Sequence, residues 1–204
     1  MVKQKLKRNL RISRYIIYRE TLVDYKEHFW SFLGAFLGIG LISFLQTFQL
    51  TAHDNIFLIG SFGASSVLIF GAIQSPLAQP RNLIGGPFIS AIIGVTINQL
   101  LPNILWLTAP LAVSLSIVLM QVTKTLHPPG GATALIAVIG SEQIKSLGYF
   151  YALTPVLSGS LILFAVAVIF NNMTPNRKYP TDEKFTNSLK RMFIKKVRKQ
   201  KSFE

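Results

Sequence analysis

The chain has no cysteine and, over the 141 residues from Ser31 to Asn171, almost no charge. Lacking cysteine, it cannot form a disulfide framework or use thiolate chemistry. Lacking charge, the middle of the chain cannot be the surface of a water-soluble domain, which mixes both signs densely. The charged side chains there are Asp54, Arg81, Lys124, Glu142 and Lys145, beside two histidines, His53 and His127. Acidic residues are scarce throughout, 8 against 21 Lys plus Arg, and the sequence has no H-E-x-x-H, no nucleophile elbow, no P-loop and no pair of carboxylates within the apolar region. Acid–base, nucleophilic and metal-assisted schemes therefore lack partners, and no catalysis, cofactor or metal is expected.

What is present is grease. Half of the 204 residues are apolar, and the net charge of +13 divides into +5 over residues 1–30, +1 over 31–171 and +7 over 172–204. A nucleic-acid binder would interleave its basic residues with its core pattern. Here they flank it, so no nucleic-acid partner is expected. The pattern predicts a membrane domain over 30–171 between a basic, amphipathic cytoplasmic segment at 1–29 and a basic cytoplasmic tail at 172–204. Because basic ends are retained in the cytoplasm, the number of crossings should be even. The first apolar run is too long for a signal peptide and is read as a retained span.

A bilayer core about 30 Å thick asks for roughly 20 apolar residues per helix. Residues 30–50, 83–101, 104–122 and 149–171 satisfy this. Ile56 to Ile73, interrupted by glycine and serine, and Gly130 to Gly140 fall short. The predicted fold is all-α, with four full transmembrane helices and two short glycine-led helices, half-crossing or re-entrant. GASSVLIFG at 63–71 matches GATALIAVIG at 131–140, and each is followed by a span carrying Gly then Asn, Gly86 and Asn98 in one, Gly159 and Asn171 in the other. Three elements per copy would invert the second copy in the membrane, giving repeat units of about 30–101 and 104–171.

In that arrangement the short helices aim their N-termini inward, and such ends bind anions through unpaired N–H groups and the helix dipole. The candidate anion pathway comprises Ser61, Gly63, Ser65 and Ser66 at one end and His127, Pro128, Pro129, Gly130, Gly131 and Thr133 at the other. Close packing of small residues is the alternative for these positions. His127 reads either as a donor or proton-sensitive gate, or as an interfacial residue capping a turn. Arg81, Asn82 and Lys124 are placed at a pathway entrance or the membrane interface. Gly86, Ser90, Gly94 and Asn98 form a narrow small-residue face for helix packing, within the chain or in a homo-oligomer.

LHPPGGATALI at 126–136, with GSFGASSVLIFGAIQSPLAQPRNLIGG at 60–86, resembles the HPP family of integral membrane proteins, named for the triplet that falls here on His127, Pro128 and Pro129. The second signature falls on Ser75 to Asn82. The resemblance covers roughly residues 25–172. It implies a small multi-span protein, often assigned four transmembrane helices, and some plastid and cyanobacterial members are associated with nitrite transport. After Gly85 and Gly86 many relatives carry His where this chain has Pro87. Some relatives add a regulatory domain after the membrane region, which is not expected here. The resulting expectation is a multi-pass protein of the bacterial cell (inner) membrane, with both termini cytoplasmic and the lipid bilayer as its surroundings. It would transport or conduct a small monovalent inorganic anion, nitrite first. The alternative is a non-transporting membrane scaffold or sensor with lipid- or partner-binding basic tails.

Overall fold

The computed structural model describes residues 25–46 and 55–181, all helix, turn and loop without a strand. Helix α1 spans Tyr25–Gln46. Helix α2 spans Asn55–Ser66 and continues through a π-helical turn, Val67–Gly71. After a short 3-10 turn, α3 spans Pro80–Leu100 and α4 Leu105–Val122. Helix α5 spans Pro129–Ile139 and the short α6 Glu142–Ser146. The last leg begins with a π-helical turn, Ala152–Leu157, broken at Thr154, and continues as α7, Ser158–Phe170. Four helices, α1, α3, α4 and the leg ending in α7, are long and apolar enough to cross a membrane. The amphipathic segment read at residues 1–29 lies, up to residue 24, outside the described residues, as does Asp54.

Local chemistry explains the boundaries. Proline at the first position starts α3 and α5, where a missing N–H costs nothing. Helix α4 ends where Lys124 adopts φ 58°, a left-handed conformation usually left to glycine. Ser141 caps α6 by accepting a hydrogen bond from the Ile144 N–H. Outward faces stay apolar: on α1, Phe32 and Phe36 stack in the open, and on α4, Trp106, Val118 and Val122 are exposed. Such a belt is costly in water and suits lipid.

The legs alternate in direction. On one face the start of α1 meets the ends of the second and last legs, because Arg177 bonds Glu27, Asn171 and the Phe70 carbonyl. On the same face the Arg81 side chain donates to the Thr123 carbonyl, joining the start of α3 to the end of α4. On the opposite face Thr96, near the end of α3, meets the Tyr149 hydroxyl. Helix α5 starts inside the bundle, beside Gly86 and Ser90, and runs parallel to α3, so Gly94 lies against Ala134 and Ala137. Three apolar clusters fill the interior. The largest joins α1, α2, the start of α3 and α7 around Phe62, Phe70, Leu83 and Leu163, and the other two join α3 to α4, α5 and the start of the last leg.

Two expectations need correction. The first short helix is not led by glycine: Gly63 sits in the interior of α2, eight residues past Asn55. Glycine is tolerated there because a helix in a membrane keeps its backbone bonds internal, so Gly60 and Gly63 do not end it. The chain also does not leave the domain at 171. Arg177 and Tyr179 are buried, Tyr179 donates to the Ala78 carbonyl, and the Thr181 N–H donates to Gln79, so 172–181 packs back on the bundle.

Candidate functional site

The two short helices cross at the centre of the molecule, and their polar residues meet there. On α2, the Ser61 hydroxyl lies 2.7 Å from Thr133 Oγ1 and 3.2 Å from the Pro129 carbonyl it donates to. One turn on, the Ser65 hydroxyl lies 2.9 Å from His127 Nε2. The other imidazole nitrogen, Nδ1, donates to the Leu77 carbonyl at 2.9 Å. A carbonyl can only accept, so Nδ1 carries a hydrogen, and in the neutral ring Nε2 accepts from Ser65. Tyr151, on the last leg, donates to the Thr133 carbonyl. Ser61, Ser65, His127, Thr133 and Tyr151 are all buried, and this seam of hydroxyls and imidazole contains no carboxylate.

The second helix end is built tightly. Pro128 and Pro129 have no N–H, and the N–H groups of Gly130 and Gly131 donate to the carbonyls of His127 and Pro128 at 2.8 and 3.1 Å. In this conformation neither glycine N–H is open to a ligand. A Cβ on Gly130 would stand 2.7 Å from the Ser90 hydroxyl and 2.9 Å from Met120 Sδ, whereas one on Gly131 meets only Val113 at 3.7 Å. Gly63, away from any helix end, faces open space.

The remaining residues singled out from the sequence fall into two groups. Gly86, Ser90 and Gly94 face α5 and the turn before it: a Cβ on Gly86 would lie 2.6 Å from the Thr125 carbonyl, and one on Gly94 2.5 Å from the Ala134 carbonyl. Asn98 is half-buried further along the helix. Asn82 donates to the Leu126 carbonyl at 2.6 Å and, with Arg81, staples the start of α3 to the turn that carries His127. Lys124 is exposed at the end of α4. Ser66 is buried but makes no hydrogen bond, and the same holds for Ser116 and Ser160.

Sequence reasoning missed a second polar centre. Arg177 is buried and binds the Glu27 carboxylate, the Ser31 hydroxyl, Asn171 Oδ1 and the Phe70 carbonyl. Asn171 also donates to the Ile69 carbonyl at 2.7 Å. The π-helical turn leaves these carbonyls at a leg's end without partners in the helix, and Arg177 and Asn171 supply donors. The available signal was local: Arg177 stands in the Asn- and Pro-containing stretch NNMTPNRKYP, apart from the Lys-rich run that follows.

Between α1 and the last leg, toward the face opposite Arg177, lies a cleft of about 200 Å³ lined by Ile42, Leu45, Thr154, Pro155, Ser158, Gly159 and Ile162. Among the described residues no cluster of His, Asp or Glu is suited to a metal ion.

No solved structure matches the chain. Two Dictyostelium discoideum proteins, each described only as a transmembrane protein, are similar to it. One is 49% identical over 160 residues, covering 77% of this chain and 51% of the relative. The other is 46% identical over 165 residues, covering 79% and 58%. The chain thus spans little more than half the length of these relatives. The model of the HPP transmembrane region matches residues 20–180, taking in the clasp at Glu27 and Arg177 as well as the His127 seam, and the chain belongs to the HPP family of membrane proteins.

Proposed function

We propose that the protein transports a small monovalent anion, nitrite first, across its membrane, with both termini cytoplasmic and the two halves of the domain built as an inverted repeat. The observation that carries this reading is the seam where α2 and α5 cross. Buried polar side chains in a membrane domain are costly and point to a path or site. A path for cations would favour carboxylates, and this seam offers hydroxyls and an imidazole. Donors of this kind replace the water around an anion while holding it weakly enough for release. The choice of nitrite rests on the family resemblance, and Pro87 is the position at which this chain departs from many relatives.

The contacts support the repeat. Aligning 63–71 with 131–140 equates Ser61 with Pro129 and Phe62 with Gly130. Ser61 bonds the Pro129 carbonyl, as a residue and its equivalent should on a two-fold axis. Gly159 packs on Phe62, and its counterpart Gly86 lies against Gly130. The legs of 25–100 and 105–170 also run in opposite senses.

One observation favours the scaffold or sensor reading: Ser61, Ser65, His127 and Thr133 already bond one another or nearby carbonyls, as purely structural groups would. Proteoliposome flux separates the two. Loaded vesicles should pass nitrite faster than protein-free ones, with nitrate and formate as competitors, and Ser65→Ala and His127→Ala should reduce that flux at least several-fold. Equal flux with and without protein overturns transport. Undiminished flux in both variants moves the path away from the seam.

A further inference from the structure

The two glycine contacts that the repeat equates are filled differently. A Cβ on Gly86 would meet the Thr125 carbonyl and His127 Cβ, each at 2.6 Å and fixed to the backbone, while the Gly86 carbonyl lies 3.3 Å from where a Cβ on Gly130 would be. Gly159 meets a ring, since a Cβ there would stand 2.3 Å from Cζ, 2.7 Å from Cε2 and 3.0 Å from Cε1 of Phe62. One contact is closed by main chain that cannot swing aside. The other is closed by a side chain that can.

What lies on either side of that ring gives it a role. Gly159 is part of the wall of the 200 Å³ cleft, which also presents Thr154 and Ser158. The helix is broken at Thr154, whose φ of −132° and ψ of 116° take it out of the helical ladder, and broken helices line substrate sites in transporters. On the same helix as the ring, Ser61 and Ser65 flank Phe62 in sequence and belong to the seam. Within one turn of Phe62 and Gly159 along their helices are also Ser66 and Ser160, residues 4% and 1% exposed whose hydroxyls are buried and make no hydrogen bond. A buried hydroxyl without a protein partner is uncommon, and each of these two has a proton free to donate.

We infer that the cleft is a vestibule for a small hydrated anion and that the Phe62 ring, seated on Gly159, is the gate between it and the buried hydroxyls of Ser66, Ser160 and the seam. The inference rests on the transport reading and adds to it a side of entry and a moving part. With Phe62 seated, the vestibule ends at Gly159. With the ring turned away, the missing side chain at Gly159 leaves a gap between α2 and α7, and Ser66 and Ser160 gain a ligand to donate to.

Because the chain has no cysteine, single thiols report on this directly. In vesicles holding the full chain, Ser158→Cys should react readily with a charged methanethiosulfonate added from the vestibule side, whether or not Phe62 is present. Ser160→Cys should react slowly behind Phe62 and at least tenfold faster in the Phe62→Ala background. Phe62→Leu, which keeps an apolar branch and spares folding, should give an intermediate rate, and melting in detergent checks that each variant is folded. An unreactive Ser158→Cys overturns the vestibule, and equal Ser160→Cys rates with Phe, Leu and Ala at position 62 overturn the gate. Nitrite flux read on the same samples separates the two ideas. Faster labelling without flux in any variant leaves the gate standing and removes nitrite transport. Flux without any response to position 62 removes the gate alone.

Discussion

In space, and across its sequence order, the domain divides into two halves held together by different forces: α3, α4 and α5, and α1, α2 and α7. In α3, α4 and α5, glycines bring backbones within contact distance, and no buried ion pair is involved among the described residues: Arg81 and Asn82 bond the Thr123 and Leu126 carbonyls, and Ser90 rests against the Met120 sulfur. In α1, α2 and α7, packing is looser, with a 200 Å³ cleft at one face and a buried charge cluster at the other. The difference separates two ways of fixing helices where the hydrophobic effect does not distinguish a neighbour from lipid. Close backbone approach gives a rigid pair. A polar clasp at one end leaves the other end free to open.

The largest effect should come from cutting the clasp. Arg177→Ala leaves the Glu27 carboxylate, the Ser31 hydroxyl and the Phe70 carbonyl without their shared donor. Breaking a buried ion pair from one side typically costs about 3–5 kcal/mol. The melting temperature in detergent should drop sharply, and Arg177→Lys, with a point charge in place of a planar fork, should recover only part of the loss. A negligible shift on Arg177→Ala would mean that the looser half is held by packing after all.

Next comes the same substitution made once in each half. At Gly94 a new Cβ meets the Ala134 carbonyl at 2.5 Å and Ala134 Cα at 2.9 Å, main chain that moves only if α5 moves. Gly94→Ala should therefore cost about 1–3 kcal/mol, in the range of other overpacked sites. At Gly159 the obstacle is the Phe62 ring, which can rotate, so Gly159→Ala should cost clearly less although the nominal clash is shorter. The reverse order of melting temperatures would break the comparison between rigid and yielding halves.

These sites also mark what could be read from the chain alone. The long helices were legible because an uncharged run of about 20 residues has few alternatives. The likeness of GASSVLIFG to GATALIAVIG drew attention to both short segments, and hydrogen bonds of Ser61 to Thr133 and Ser65 to His127 join them. The start of α2 was not legible, because Gly63 looks like a helix start in one dimension, and only the surroundings show it to be one residue of a longer helix. Arg177 was hidden for a different reason. Summed with its neighbours it is one more basic residue, and its partner Glu27 lies 150 residues away. Phe62 carried no signal at all, since a phenylalanine in an apolar helix is ordinary until the glycine it rests on is known.

A smaller effect tests the seam. Ser61→Ala removes the hydroxyl that joins α2 to Thr133 and to the Pro129 carbonyl, but Thr133 Oγ1 keeps its own bond to that carbonyl at 3.2 Å. With no group left fully unsatisfied, the loss should be about 1 kcal/mol, the net worth of an ordinary hydrogen bond. A loss as large as that of Arg177→Ala would place the structural weight of the molecule in its centre instead of at the clasp.

The smallest effect should have the opposite sign. Gly63 lies inside α2, and nothing stands within 4 Å of where its Cβ would be. Glycine in a helix interior costs about 0.5–1 kcal/mol relative to alanine through the freedom it has in the unfolded chain. Gly63→Ala should therefore raise the melting temperature slightly and leave nitrite flux unchanged. A stabilised protein with lost flux would be the instructive failure, because it would mean that the open space beside Gly63 is occupied during transport. The looser half would then open along the length of α2, and the gate at Phe62 would be only one end of the path.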